Sequence, residues 1–135
     1  MEVSRYCLDT SAYSYFQKGD PVVVELIETA DTIVVPSIVI GELAAGFRAG
    51  SRSQQNFAVL TEFLANSVVA ECPVDHETAL IFGELVSLLR SQGRPIPTND
   101  LWIAAVCVQQ SATLLTYDSH FRVIDRISSL ILEAA

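Results

Sequence analysis

The chain has 135 residues, 50% of them hydrophobic, and a mean hydropathy of +0.38, enough for one domain with a substantial core over residues 1–135. A formal net charge of -8 and a pI near 4.5 argue against the strong non-specific nucleic-acid binding that many Lys and Arg phosphate contacts produce. The longest purely apolar run, Leu101 to Val108, cannot cross a bilayer, which takes about 20 residues in a helix.

The opening Met1-Glu2-Val3-Ser4-Arg5 lacks the basic and apolar regions of a signal peptide, so a cytoplasmic protein is expected. Arg5 to Leu8 reads as a short buried strand. Thr10 to Lys18 reads as a helix, punctuated by Gly19-Asp20-Pro21. Val22 to Ala30 has apolar residues at helical spacing, although the β-branched run Val22-Val23-Val24 works against a helix. Thr32 to Val35 is a predicted strand, and Ser37 is a predicted N-cap for a helix running to about Gly50. Ser53 to Asn66 is the next helix and Val68 to Cys72 the next strand. Asp75 to Gln92 is amphipathic, with Ile81, Phe82, Leu85, Leu88 and Leu89 as its stripe and Gly93 as its stop. Pro95 and Pro97 keep the following segment extended, and Asn99 is positioned to cap a helix over Asp100 to Gln110. Ala112 to Thr116 and Leu130 to Glu133 are the last strands. Strands alternating with helices call for a parallel sheet covered on both faces.

Four carboxylates stand at sensitive places in this pattern. Asp9 and Asp118 fall just beyond the carboxyl end of a strand, where ligand crevices of open α/β sheets lie. Asp100 opens an apolar helix, and Glu42 sits among Ile38, Val39, Ile40, Leu43, Ala44 and Ala45. Each has an ordinary structural explanation. Asp9 could cap a helix, Asp118 could belong to a turn, Asp100 could compensate a helix dipole, and Glu42 could pair with Arg48. Together they suggest a shared site, because buried carboxylates are costly and a hard divalent cation answers several at once. Two-metal phosphodiester cleavage is the chemistry such a site suits, and bound cations would locally reverse the acidic field.

The residues around these acids resemble a known family. Leu8-Asp9-Thr10-Ser11-Ala12-Tyr13 resembles the opening of PIN-domain ribonucleases. Pro36-Ser37-Ile38-Val39-Ile40-Gly41-Glu42-Leu43 followed by Gly46 is similar to their second acidic motif. Pro97-Thr98-Asn99-Asp100-Leu101-Trp102-Ile103-Ala104-Ala105 and Leu114-Leu115-Thr116-Tyr117-Asp118-Ser119-His120-Phe121 resemble the third and fourth. Order, spacing and length agree with the VapC-type toxins of toxin–antitoxin pairs. The resemblance implies a three-layer α/β/α sandwich around a central, mainly parallel sheet. It implies Mg2+- or Mn2+-dependent cleavage of an RNA substrate and inhibition by a cognate antitoxin, which would carry any specific DNA binding in place of this chain. Asp9, Glu42, Asp100 and Asp118 would be the catalytic, metal-binding acids, with Thr10, Ser11 and Thr116 as supporting hydroxyls. Many relatives carry a further acid where this chain has His120, which would touch substrate or a carboxylate, or simply pack or face solvent.

Other chemistries have less support. Lys18 is the only lysine, Asp9-Thr10-Ser11 has no second acid for an Asp-x-Asp nucleophile, and Ser11 and Ser37 lack an evident base. Cys7, Cys72 and Cys107 are widely spaced in apolar contexts and read as small buried hydrophobes. Arg48, Arg52, Arg90, Arg94, Arg122 and Arg126 flank the acidic motifs and could hold phosphates. Arg48 and Arg90 also suit helix C-termini. Trp102 has apolar neighbours and reads as packing. The apolar content calls for a homodimer. The competing function is a catalytically weak PIN-like interaction module that binds a protein partner.

Overall fold

The computed structural model describes residues 3–135. Five strands form one parallel sheet: β1 (Arg5–Leu8), β2 (Thr32–Pro36), β3 (Val69–Cys72), β4 (Thr113–Thr116) and β5 (Ser129–Ile131), in the order β3-β2-β1-β4-β5. The helices are α1 (Thr10–Gln17), α2 (Pro21–Thr29), α3 (Ser37–Ala49), α4 (Ser53–Leu64), α5 (His76–Ser91) and α6 (Thr98–Gln110), with a short 3-10 helix at Ser119–Val123. Consecutive residues of a strand point to opposite faces. Cys7 and Leu8 in β1 are both buried, as are Ile33, Val34 and Val35 in β2 and Leu114 and Leu115 in β4. Both faces of the central strands are therefore covered, which is the three-layer α/β/α sandwich.

The strand order decides where a site can form. From β1 the chain steps outward to β2 and β3, then returns to lay β4 against the other side of β1. The connections leaving β1 and β4 thus diverge, and a crevice opens beyond the carboxyl ends of these two strands. Leu8 registers with Leu115, so Asp9 and the residues after Thr116 emerge side by side.

Several local expectations need correction. Ser37 is the first residue of α3, and Pro36 takes the cap position. The Ser37 hydroxyl donates to the Cys72 carbonyl at 3.3 Å, so it fastens the helix start to β3. α6 starts at Thr98 behind Pro97, which leaves Asn99 inside the first turn and free to use its amide elsewhere. Leu88, expected in the buried stripe of α5, is 38% exposed, and Thr78, Ile81, Leu85 and Leu89 are the buried positions. Asp75 and Thr78 form a capping box at the start of that helix. α2 forms despite its β-branched run because Val23 and Ile27 bury one face and Pro21 is preset for a first turn. β5 begins and ends slightly earlier than Leu130 to Glu133.

The three cysteines are buried and free, and burial pushes the Cys7 thiol well up. Trp102 stacks on Phe82 with ring centroids 3.8 Å apart, tying α6 to α5.

Candidate metal centre

Asp9 is the first residue after β1 and the N-cap of α1. It is 5% exposed. One carboxylate oxygen accepts from the Ala12 N–H at 2.8 Å and the Ser11 hydroxyl at 2.7 Å, and the other accepts from the Thr116 hydroxyl at 2.5 Å. Burial raises its pKa above the usual carboxylate value. The three hydrogen bonds oppose that rise, and the charge of Asp100 adds to it. A carboxylate has about four lone-pair sites, so Asp9 keeps acceptor capacity beyond these donors.

The supporting hydroxyls are themselves tied to the end of β4. Thr116 accepts from the Asp118 N–H at 3.0 Å while donating to Asp9. Ser11 accepts from the Tyr117 N–H at 3.0 Å while donating to Asp9. Thr10 serves a different acid: its hydroxyl donates to Glu42 at 2.6 Å. The other Glu42 oxygen accepts from the Asn99 amide at 3.4 Å. The alternative ion pair with Arg48 is not made, and the Arg48 guanidinium lies over the Phe57 ring.

Asp100 lies in the first turn of α6. Burial raises its pKa most, His120 lowers it, and the charges of Asp118 and Glu42 raise it again. The charge of Asp100 in turn raises Asp9.

His120 stands between two of them. Its Nε2 is 2.5 Å from an Asp100 oxygen and its Nδ1 is 2.6 Å from an Asp118 oxygen. Its backbone N–H also donates to Asp118, at 3.1 Å. Only an imidazolium carries a donor on each ring nitrogen; a neutral ring turns one lone pair toward a carboxylate or toward a cation.

The sequence-chosen residues therefore come to one sheet edge, but not to a single point. The tight set is Asp100, Asp118 and His120, whose ligand atoms lie within 4.8 Å of one another. Glu42 is bonded to Asn99, the neighbour of Asp100, and Asp9 to Thr116, so both lie outside the tight set, with Thr10, Ser11 and Thr116 holding the carboxylates. Among the described residues no buried side-chain nitrogen or oxygen lacks a partner, so no orphaned atom asks for an ion. Four mutually repelling carboxylates offer hard oxygens and one imidazole offers nitrogen, which fits a divalent cation.

Two contributors escaped the sequence reading. Asn99 reads equally well as a helix cap, and only the fold turns it to Glu42. Tyr117 carries its signal only through its partner: its hydroxyl donates to the buried Asp20 at 2.5 Å, anchoring the segment that leads to Asp118. Burial, then the Asp20 contact, push that phenol's pKa up.

Residues 6–127 match the PIN domain, and the chain belongs to the PIN-domain family. Its relatives within that family are VapC ribonucleases. It is 32% identical to Ribonuclease VapC2 of Rickettsia felis, over 95% of this chain and 89% of that protein. It is 31% identical to Ribonuclease VapC1 of Haemophilus influenzae, over 84% of this chain and 86% of that protein. Among solved structures it superposes on VapBC2 from Rickettsia felis, bound to a DNA fragment from its promoter, with a TM-score of 0.82 and 29% identity, over 93% of this chain and 97% of that one. VapBC-1 from nontypeable Haemophilus influenzae gives 0.82 and 27%, over 93% of this chain and 96% of that one.

Proposed function

We propose that this chain is a metal-dependent endoribonuclease and the toxin of a toxin–antitoxin pair, folded as a single PIN domain. The observation that carries the proposal is the gathering of the four acids at the divergence of β1 and β4: Thr116 joins Asp9 to the Asp118 N–H, Glu42 is bonded by Thr10 and Asn99, which adjoin Asp9 and Asp100, and Asp100 and Asp118 have ligand atoms within 4.8 Å. The ribonuclease names of the VapC relatives support the reaction class. The toxin–antitoxin assembly of VapBC-5 from Mycobacterium tuberculosis, at 25% identity and a TM-score of 0.74, supports the partnership.

Asp9 and Asp100 would hold the ion directly, and Glu42 and Asp118 would complete the shell directly or through water. When bound, Mg2+ or Mn2+ supplies a more acidic water for in-line attack on the scissile phosphorus and offsets charge on the phosphate and the leaving oxygen. Thr116 and Ser11 keep the Asp9 oxygens oriented, and Thr10 and Asn99 do so for Glu42. No covalent enzyme intermediate is required.

The antitoxin would present a basic group to the acidic centre, as charge complementarity favours. With a net charge of -8, this chain would leave specific DNA contacts to that partner. A homodimer is supported by Leu80 and Leu88, exposed on one flank of α5, and separately by a groove with Phe82, Val86, Leu89, Ile96 and Leu101 on the other flank of that helix. Among the described residues no helix is long and apolar enough to cross a membrane, and we place the activity in the cytoplasm.

The test is Asp9→Asn in purified protein with Mn2+. RNA cleavage and growth inhibition are expected to disappear while circular dichroism is unchanged. Cleavage equal to wild type would overturn the enzyme reading and leave a PIN-like interaction module.

A further inference from the structure

The acids account for charge at the centre but not for what stands between them. The imidazole of His120 occupies the space between Asp100 and Asp118, with one ring nitrogen 2.5 Å from the first and the other 2.6 Å from the second. We propose that His120 is a direct nitrogen ligand of the cation, and that it gives this centre a preference for Mn2+ over Mg2+. The inference rests on the metal-dependent reading above and concerns a residue that reading leaves as a support.

Position is the first argument. Among the described residues, His120, Asp100 and Asp118 are those whose ligand atoms all lie within 4.8 Å of one another, so an ion drawn to the two carboxylates meets the ring. The ring is also held there. Its residue lies in the 3-10 helix that Asp118 caps, and its own N–H donates to the Asp118 carboxylate. The next residue, Phe121, is buried in the core, and the two rings stack with centroids 5.2 Å apart. Turning the imidazole out of the centre would cost it that stacking and both carboxylate contacts.

Ligand chemistry is the second argument. Mg2+ demands oxygen in near-ideal octahedral geometry and sheds water reluctantly. Imidazole adds little to its binding, whereas first-row transition ions accept nitrogen beside carboxylate oxygen. A centre built from oxygens alone would treat Mg2+ and Mn2+ more evenly. Placing one imidazole in the tightest part of the set tilts it toward Mn2+. The competing role is a counter-charge only, in which the ring yields the space to an ion without touching it.

Electron paramagnetic resonance of Mn2+ added to the metal-free protein separates these. Bound Mn2+ should show a nitrogen hyperfine coupling in pulsed spectra, and the coupling should persist in His76→Gln, which removes the other histidine. Competition between Mn2+ and Mg2+ should give an affinity ratio that falls toward that of an all-oxygen centre in His120→Asp, where oxygen replaces nitrogen. Mn2+ that binds wild type with no nitrogen coupling would overturn the inference even if the variant failed to fold, and so would a ratio unchanged in the variant. Either result would leave the nuclease reading standing. Wild-type protein that binds no Mn2+ at all would sink both.

Discussion

The Thr116 hydroxyl donates to Asp9 at 2.5 Å, across 107 residues of sequence and the carboxyl ends of two neighbouring strands. The same oxygen accepts from the Asp118 N–H, so one threonine sets the position of two acids. A hydroxyl suits this place because it donates and accepts at once.

Thr116→Val keeps shape and burial but removes both functions. Asp9 loses its shortest hydrogen bond while remaining buried, which should cost about 1–3 kcal/mol of stability. Urea unfolding should show that loss, Mn2+ affinity should fall with it, and Thr116→Ser should recover most of both. A Thr116→Val protein as stable as wild type would mean the bond contributes nothing net.

The acids of the centre work against folding when no ion is present. Burial raises the pKa of Asp9 and of Asp100, so the native state keeps these protons to higher pH than the unfolded chain does. Stability from these groups therefore falls as pH rises from the ordinary carboxylate range through the raised native values. In chelator at neutral pH, Asp9→Asn should melt above wild type, because its amide oxygen still accepts from Ala12 and Ser11 and its NH2 can donate to the second lone pair of the Thr116 oxygen in place of the bond that Thr116 now donates. Mn2+ should reverse the order: at a hundredfold excess over Kd the wild type gains about 2.7 kcal/mol and the variant much less. A variant melting below wild type in chelator would contradict the sign.

Asp75 works in the opposite direction. Its pKa is lowered by bonds from the Thr78 N–H and hydroxyl, and then from Gln109. The Gln109 amide reaches it at 2.9 Å, so one carboxylate caps α5 and fastens α6. A lowered acid stabilises fully above the unfolded pKa, and that contribution is lost as pH falls through the folded value. Asp75→Ala should melt below wild type at neutral pH, and the gap should close in acid. Gln109 is nine residues along α6 from Asp100, about 13 Å at 1.5 Å per residue, so cleavage well below the melting temperature should be unaffected. A gap that persists at low pH would show that the charge of Asp75 is irrelevant.

Assembly through the exposed face of α5 can be broken at one position. Leu88 is 38% and Leu80 58% exposed on the flank of α5 that faces away from the groove between α5 and α6. Wild type should sediment as a dimer at micromolar concentration and Leu88→Arg as a monomer, with the isolated fold intact by circular dichroism. A monomeric wild type would remove the homodimer, and a dimeric variant would move its interface elsewhere.

The sequence alone determined the alternation of strands and helices, because hydrophobic period and turn residues are local signals. It also placed Asp9 and Asp118 just after strands and Asp100 at a helix start, since those positions follow from where each element ends. Its nearest errors were caps. Ser37 and Asn99 have the right chemistry for capping, but nearby chain offered each a better partner, the Cys72 carbonyl and Glu42. Only the tertiary structure decided the partnerships: Thr116 with Asp9, Thr10 with Glu42, Tyr117 with Asp20, and His120 between Asp100 and Asp118. Each joins different elements of the fold. Which side chains meet there depends on strand order and register, and those are chosen by the packing of the whole sheet, not by any stretch of residues within it.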